Sequence, residues 1–291
     1  MTKSAVKKSG VVVSVLNMKG GVGKTTISAH VFRHLYRHLL KSTVLLDFDP
    51  QFNLTQTITT QADYEKLKAA KKTVLSVMED HSSPSIFKTS ASKEIIPKLD
   101  DVAVKLRQIS NNTSINLSFV PGDFDIVKYA LITDPKVLDS AKQRFMQFVS
   151  NARQEKDVVC IDCNPSSSFM TTCALEAATH VLVPVRPDRY SLLGLKLLDQ
   201  FISDLPAINP KPKLIVLLNG VKTHGYDPIV ENTLRSDPKF GAATMAATLQ
   251  VSKLLEASQG YTGFATDKKQ SWRVTPQITK IVDELGKALG L

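Results

Sequence analysis

A glycine-rich loop between an apolar run and a helical pattern constrains the fold of this chain more than any other feature. Residues Val11 to Leu16 are apolar except for Ser14 and predict a buried β-strand. The loop that follows is Lys19, Gly20, Gly21, Val22, Gly23, Lys24, Thr25 and Thr26. Glycines let the backbone curl so that successive N–H groups point inward at an anion, and the next helix adds its positive end. The arrangement predicts a phosphate-binding loop.

Nucleotide chemistry suggests a role for each part of this loop. Lys24 is expected to neutralise the β- and γ-phosphates of ATP, and the Thr25 hydroxyl to complete the coordination of Mg²⁺. The strict pattern G-x-x-x-x-G-K-[ST] is not met, because Met18 stands where the first glycine belongs. Instead, an additional lysine, Lys19, precedes the glycine pair. We expect the whole loop to bind Mg-ATP.

Short apolar, β-branched runs alternate with longer helical patterns along the chain. This alternation is typical of βαβ units around a mainly parallel sheet that is covered on both faces. We therefore expect a single α/β domain over residues 1–291: a three-layer, doubly wound, mostly parallel twisted sheet with helices on both faces. The predicted strands are Val11–Leu16, Thr43–Asp47, Ile115–Val120, Asp157–Asp162, His180–Pro184 and Lys213–Asn219.

Helices are predicted where apolar residues recur at helical spacing. These segments lie near residues 25–40, 190–205 and 275–289. Residues 61–112 are lysine-rich and more polar, and we expect a variable helical insertion that lies outside the sheet. Residues 1–10 are expected to form a flexible basic N-terminus.

Charge and cysteine content narrow the class of protein. The formal net charge is +10 and the sequence pI is about 9.4, which favours polyanionic partners such as nucleic acid or an acidic membrane surface. Three cysteines without a disulfide framework indicate a reducing compartment. No signal peptide and no run of about 20 apolar residues is evident, so a cytoplasmic location is expected.

Three aspartates end predicted strands. Asp47 and Asp49 close the second strand and lie on one face by strand alternation, and Asp162 ends the strand that begins at Asp157. Carboxylates at the carboxyl ends of parallel strands face the crevice where ligands bind, although each taken singly could also cap a strand end. We expect these acids to approach the loop and its metal ion.

The motif at residues 19–26 resembles the deviant Walker A motif of the ParA/MinD superfamily of ATPases. The sequence Asp-Phe-Asp-Pro-Gln-Phe-Asn at residues 47–53 is similar to the second motif of that family. The resemblance extends from Val11 to about Ala265 and is weakest across the predicted insertion. It implies an ATPase that hydrolyses ATP to ADP and phosphate with Mg²⁺.

The resemblance implies roles for individual charged residues. Lys19 would reach across a nucleotide-bound homodimer to the partner's phosphates, so that ATP controls dimerisation. Asp49 would position the attacking water, and Asp47 would support the metal side. Asp162 would hold Mg²⁺ as the Walker B acid. The predicted catalytic set is Lys19, Lys24, Asp47 and Asp49, and the predicted metal set is Thr25, Asp47 and Asp162.

Residues after two later strands match the family's base pocket. Asp188 and Asn219 are candidates for hydrogen bonds to adenine, although ordinary turn residues would look similar. Asn164 departs from the family, which often has a proline at that place, and only Pro165 remains. The departure leaves the shape of this loop open.

Sequence details favour the ParA/Soj branch over the MinD branch. The glycine that MinD-like proteins often have before the lysine is missing, and Asp49-Pro50-Gln51 has the ParA-like form. MinD-like proteins end in a basic amphipathic membrane helix, whereas residues 275–289 contain few lysines. A membrane partner is therefore not expected.

The ParA branch implies a partition ATPase that positions a plasmid, chromosome or other cargo. Its ATP-bound dimer would bind DNA without sequence preference, associate with the nucleoid, and be stimulated by a ParB-like or other cargo-adaptor protein. The alternatives are a non-hydrolysing ATP-dependent dimerisation switch and a MinD-like membrane-associated ATPase. Candidate DNA contacts, any of which could instead be a solvated surface charge, are Lys222, Arg235, Lys239, Lys253, Lys268, Lys269 and Arg273.

Two further patterns resemble metal sites. His30, His34 and His38 recur every four residues, and Cys160 and Cys163 are two residues apart. The histidines flank the apolar stripe of the first predicted helix, and the cysteines straddle a predicted strand end. We therefore favour structural roles for both patterns.

Overall fold

The computed structural model describes residues 9–80, 96–188, 190–256 and 263–291. The strands are β1 (Val11–Val15), β2 (Thr43–Phe48), β3 (Val104–Ile109), β4 (Asn112–Val120), β5 (Val158–Cys163), β6 (His180–Val185), β7 (Lys213–Val221) and β8 (Leu249–Gln250). They form one sheet in the order β3-β4-β2-β5-β1-β6-β7-β8. Only β3 and β4 pair antiparallel, so the carboxyl ends of the central strands meet at one edge.

Helices cover both faces of this sheet. They are α1 (Lys24–His38), α2 (Asn53–Ile58), α3 (Gln61–Ala69), α4 (Val74–Met78), α5 (Leu99–Val102), α6 (Pro135–Glu155), α7 (Phe169–Ala177), α8 (Ser191–Asp204), α9 (Ile229–Ser236) and α10 (Thr275–Leu289). On one face, α1 and α10 bury residues such as Phe32 and Ile281. On the other, α6, α7 and α8 bury Phe145, Leu175 and Leu195. The predicted α/β class with a mostly parallel sheet is therefore confirmed.

Two predictions about flanking segments need correction. The described residues of the range 61–112 form three short helices but also β3, which pairs with β4 at the sheet edge. This strand was missed because the lysine-rich composition of the range favoured a helical interpretation, although Lys and Arg lie at exposed positions of an edge strand. Residues 1–8 lie outside the described residues, but Gly10 is buried, and its N–H donates to the Arg153 carbonyl (2.7 Å). The flexible N-terminus therefore does not extend to Gly10.

Buried charges anchor the insertion to the second face of the sheet. Lys128, 1% exposed, forms an ion pair with Glu79, 2% exposed. The guanidinium of Arg144 on α6 donates to the carbonyls of Val77 (3.3 Å) and Ser76 (3.2 Å). Because an unpaired charge at such depth is strongly destabilising, these contacts hold α4 firmly against α6.

Helices α1 and α10 are joined by polar contacts beside their apolar seam. His34 Nε2 lies 2.8 Å from Thr279 Oγ1, and His38 Nε2 lies 2.8 Å from Asp283 Oδ1. The two imidazole rings stack with centroids 5.4 Å apart. These histidines therefore serve helix packing. In the described part of the chain, no helix combines the length and hydropathy that crossing a bilayer requires.

Low pH should destabilise the packing of α1 against α10. Burial lowers the pKa of His34 to about 4, aided by the nearby charges of His38 and Arg33, whereas an unfolded histidine titrates near 6.5. The unfolded chain therefore binds more protons between these values, and stability is lost as the pH falls from 6.5 towards 4. We expect the melting temperature to drop from pH 7 to pH 5, and to drop less in His34→Gln. The melting temperature of the exposed control His224→Gln should depend on pH as that of the wild type does. If it falls equally with pH in all three proteins, His34 is not the cause of the acid sensitivity.

Candidate nucleotide-binding site

The glycine loop lies between β1 and α1 and forms one wall of a cavity of about 1170 Å³. Lys24, Thr25, Thr26 and Asp49 line this cavity together with three glycines of the loop, Gly20, Gly21 and Gly23. Ligand pockets in proteins commonly measure roughly 300–1,000 Å³, so the cavity has ample room for a nucleotide. Six of the eight predicted loop residues thus line one concave site, and Lys19 and Val22 do not.

Gly23 is the position where the loop most needs glycine. Its φ is +92°, and a Cβ there would lie 2.1 Å from Asn219 Nδ2. That amide donates to the Val22 carbonyl at 2.6 Å, which ties the end of β7 to the loop. Asn219 thus holds the phosphate loop, and its contact with adenine stays a prediction.

Asp162 connects the loop to the centre of the sheet. Its Oδ2 accepts a hydrogen bond from Thr25 Oγ1 (2.9 Å), and its Oδ1 accepts one from Ser28 Oγ (2.8 Å). Burial raises the pKa of this carboxyl to about 7, although both hydroxyls oppose the rise. A hydroxyl and a carboxylate in contact are oxygen ligands of the kind Mg²⁺ prefers, so the pair fits that ion. Ser28 was missed because a serine inside a helix carries no signal of its own.

Asp47 does not occupy the predicted position at the metal. It is fully buried, it lies opposite Asp162 in the register of β2 and β5, and it does not line the cavity. Its Oδ2 accepts hydrogen bonds from Thr55 N (2.8 Å) and Thr55 Oγ1 (2.6 Å). Burial, with the neighbouring Asp162 charge, raises its pKa well above the usual value. Asp47 thus anchors α2, which corrects its assignment as a metal ligand.

Asp49 lies at the cavity wall, two residues beyond Asp47. Its Oδ1 accepts a hydrogen bond from Gln51 N (2.9 Å), and burial raises its pKa, while the Lys24 charge opposes this. Burial also lowers the pKa of Lys24, against the attraction of Asp162 and Asp49. Lys24 is therefore surrounded by two carboxylates, and a bound polyphosphate would be close to both its charge and the Asp49 carboxylate.

Lys19 and Asp188 form an ion pair beside the loop. Lys19 Nζ lies 2.5 Å from Asp188 Oδ2, with side chains 40% and 38% exposed. Burial would raise the pKa of Asp188, but hydrogen bonds, from Lys19 above all, outweigh it and lower the pKa. Neither residue lines the cavity. Asp188 is bonded to Lys19, and its contact with adenine stays a prediction.

Sequence reasoning missed several residues of the cavity wall. Arg186 and His30 line it, as do Phe52 and Tyr64, whose rings stack with centroids 5.2 Å apart. His30 Nδ1 accepts a hydrogen bond from Ala265 N (3.1 Å), and burial, aided by the Lys268 charge, lowers its pKa to about 4. The histidine is therefore neutral near pH 7. These residues meet only through the fold, so no local motif could reveal them.

The predicted DNA contacts divide into two groups. Arg235 donates to Glu231 (2.7 Å), Lys239 pairs with Asp199, and Lys268 Nζ donates to the Leu254 carbonyl (3.0 Å). These three side chains make intramolecular contacts, and their contact with DNA stays a prediction. The four others are exposed, and within the described ranges none has an ion pair: Lys222, Lys253, Lys269 and Arg273.

Replacing Gly23 by alanine should lower the stability of the folded chain, whereas replacing Gly20 by alanine should not. Gly23→Ala places a methyl group against Asn219 in a left-handed conformation, which costs about 1–3 kcal/mol. A Cβ at Gly20 meets nothing within 4 Å. We expect chemical denaturation without nucleotide to show a loss of about 1 kcal/mol or more for Gly23→Ala only. Equal stability of the two variants would refute the tight contact.

A family model described as an AAA domain matches residues 10–214. The sporulation initiation inhibitor protein Soj of Bacillus subtilis (strain 168) is 28% identical over 186 residues, which are 64% of this chain and 62% of Soj. The matched region spans between 41% and 71% of the length of the curated relatives. The chain thus corresponds to only part of several relatives.

Solved structures share the fold. A putative plasmid partition protein of Borrelia burgdorferi B31, bound to AMPPNP, has a TM-score of 0.64 at 17% identity, with 97% of this chain and 100% of that chain covered. The pNOB8 ParA bound to nonspecific DNA has a TM-score of 0.66 at 17% identity, with 96% and 98% covered. Since the family model matches well over half of its length, the chain belongs to this AAA-domain family, and it is a P-loop protein of the ParA/MinD type.

Proposed function

We propose that this chain is an ATP-dependent, dimerising partition ATPase. In the ATP state it would bind DNA without sequence preference and associate with the nucleoid in the cytoplasm. A ParB-like or other cargo-adaptor protein would stimulate its slow hydrolysis. The observation that carries the proposal is the grouping of Lys24, Thr25 and Asp49 at one cavity, with the buried Asp162 hydrogen bonded to Thr25 behind the wall. The likeness to Soj and to partition proteins solved with AMPPNP or DNA supports it.

Phosphoryl transfer requires positioning and charge neutralisation more than covalent chemistry. Thr25 and Asp162 would hold Mg²⁺, which neutralises phosphate charge when bound. Lys24 would add a second positive charge, and the loop amides would bind phosphate oxygens. Asp49 would accept a hydrogen bond from a water molecule and orient it towards the terminal phosphate.

The Lys19–Asp188 ion pair suggests how dimerisation could depend on ATP. Lys19 can contact a partner's phosphates only after it leaves Asp188, and a half-exposed ion pair is worth about 1 kcal/mol or less. Nucleotide phosphates carry more charge than one carboxylate. The lysine would therefore exchange partners when two ATP-bound protomers meet.

The MinD-like membrane alternative gains no support from the last helix. Its apolar residues, among them Ile278, Ile281 and Leu285, are buried in the core shared with α1. A membrane-binding helix must present such a face to lipid. We therefore favour DNA over a membrane as the partner of the exposed cations Lys222, Lys253, Lys269 and Arg273.

Removing the Asp49 charge should stop turnover. Asp49→Asn keeps the size of the side chain and an oxygen for the Gln51 amide, but loses the charge that orients water. We expect nucleotide affinity within about threefold of wild type and hydrolysis at least about 100-fold slower. Phosphate release and calorimetry measure the two quantities, with the exposed Asp63→Asn as control. Unchanged turnover would exclude the assignment; a wild type that binds ATP but never hydrolyses it would instead support the non-hydrolysing switch.

Replacing Lys19 should separate nucleotide binding from dimerisation. Lys19→Ala should bind ATP as a monomer, because Lys24 and the loop remain, and should fail to bind DNA. Asp188→Asn, which releases Lys19, should dimerise at least as readily as wild type. Sedimentation with Mg-AMPPNP and anisotropy of a labelled random duplex test both, with exposed Lys136→Ala as control. An intact DNA-binding dimer of Lys19→Ala would refute the role of the lysine.

A further inference from the structure

Trp272 is the most exposed large hydrophobic side chain of the described residues. It is the single tryptophan of the chain, and 67% of its surface is accessible. A tryptophan could bury roughly 150–250 Å² in a core or an interface, so leaving it in water forgoes a large stabilisation. The Arg273 guanidinium lies 5.2 Å from its ring centroid. The surface thus presents an aromatic ring and a cation side by side.

The backbone around Trp272 is held firmly. The residue lies in a 3₁₀ turn, Ser271–Arg273, directly before α10. Ser271 N donates to the Lys268 carbonyl (2.9 Å), and Thr275 Oγ1 donates to the Ser271 carbonyl (2.8 Å). The buried Val274 follows the turn. The ring is therefore displayed by an ordered scaffold, as recognition side chains usually are.

Hydrogen bonds join the residues on either side of this turn to the segment 249–256. Lys268 Nζ donates to the Leu254 carbonyl at 3.0 Å, next to the exposed Lys253. Gln277 Nε2, in the first turn of α10, donates to Gln250 Oε1 at 2.8 Å. These two segments, joined by hydrogen bonds, carry four exposed residues that we call the Trp272 surface: Lys253, Lys269, Trp272 and Arg273.

The charge of the Trp272 surface is positive. Lys253, Lys269 and Arg273 form no ion pair within the described ranges, so their charges face solvent. The acid of this segment, Asp267, is neutralised by Arg33 (2.6 Å) and Arg107 (3.5 Å). Glu256 is exposed nearby, which leaves three cations against one acid. A polyanion with flat, apolar groups fits this chemistry.

We propose that Trp272 contacts DNA and supplies the part of its affinity that does not depend on salt. The inference rests on the proposed function, because it presumes that the ATP-bound protein binds DNA. Cations near a duplex bind phosphates, while an aromatic ring packs on sugars or bases. A lipid surface fits less well, because a single ring stands among charges and the apolar face of α10 is buried.

The two kinds of contact have different signatures. Each phosphate contact contributes about one to the slope of log K against log salt concentration, whereas an aromatic contact changes affinity at every salt concentration alike. Trp272→Ala should weaken binding to the duplex by about 5-fold or more with an unchanged slope, as truncation of a buried aromatic anchor does at an interface, and Trp272→Phe should restore most of it. Arg273→Ala should reduce the slope by about one. Leu131→Ala, exposed elsewhere, is the control.

The sole tryptophan provides a direct readout in the unmodified protein. The full chain with Mg-AMPPNP is titrated with a random-sequence duplex, and Trp272 emission is recorded alongside anisotropy of labelled DNA. We expect quenching or a shift of emission that follows the anisotropy curve. The melting temperature of each variant shows that it is folded.

Several outcomes would overturn the inference. If anisotropy reports binding while emission stays constant and Trp272→Ala binds as tightly as wild type, Trp272 is not a contact, and the proposed function stands. If no DNA binds with AMPPNP, the proposed function fails and the inference fails with it. If emission shifts with vesicles of anionic phospholipid and not with DNA, the surface belongs to a membrane contact instead.

Discussion

The buried carboxylate of Asp162 is the interaction on which the site depends. It ends the central strand β5, and its two oxygens accept hydrogen bonds from Thr25 and Ser28 at the start of α1. One side chain therefore fixes the direction in which the first helix leaves the sheet, and with it the position of the phosphate loop. Burial disfavours the charged form of Asp162, and the two hydroxyls offset part of this cost. A cation placed beside Thr25 would offset the same cost.

Neighbouring acids acquire different chemistry from their surroundings. Asp47 lies in β2 and Asp49 directly after its end; Thr55 donates hydrogen bonds to the first, and the second lies at the cavity wall. The phosphate loop is likewise set by a distant residue, because Asn219 holds Val22 from β7. The site is therefore shaped as much by side chains that hold the loops as by those that would contact a nucleotide.

The buried strands and the loop were predictable because their signals are local: apolar runs, glycines and a lysine followed by threonines. All six predicted strands occur in the sheet. β3 was missed because the lysine-rich composition of its range favoured a helical interpretation, and α6 was overlooked although Asp134 and Pro135 mark its start. The engagement of Lys19 by Asp188 joins residues 169 positions apart. No pattern along the sequence records such a contact, so the positions of the loop residues were predictable and their partners were not.

The sequence also leaves unpredicted the contacts that connect the cavity with the segments of the Trp272 surface. His30 lines the cavity and accepts a hydrogen bond from Ala265, and Leu255, whose backbone is hydrogen bonded to His30, lines it too. Lys268 then ties its own segment to Leu254, beside Lys253. The cavity wall and the segment that carries Trp272 are therefore joined by hydrogen bonds between residues far apart in the sequence. Two of the lysines predicted to contact DNA, Lys239 and Lys268, are engaged within the chain, whereas Lys222, Lys253 and Lys269 are exposed to solvent.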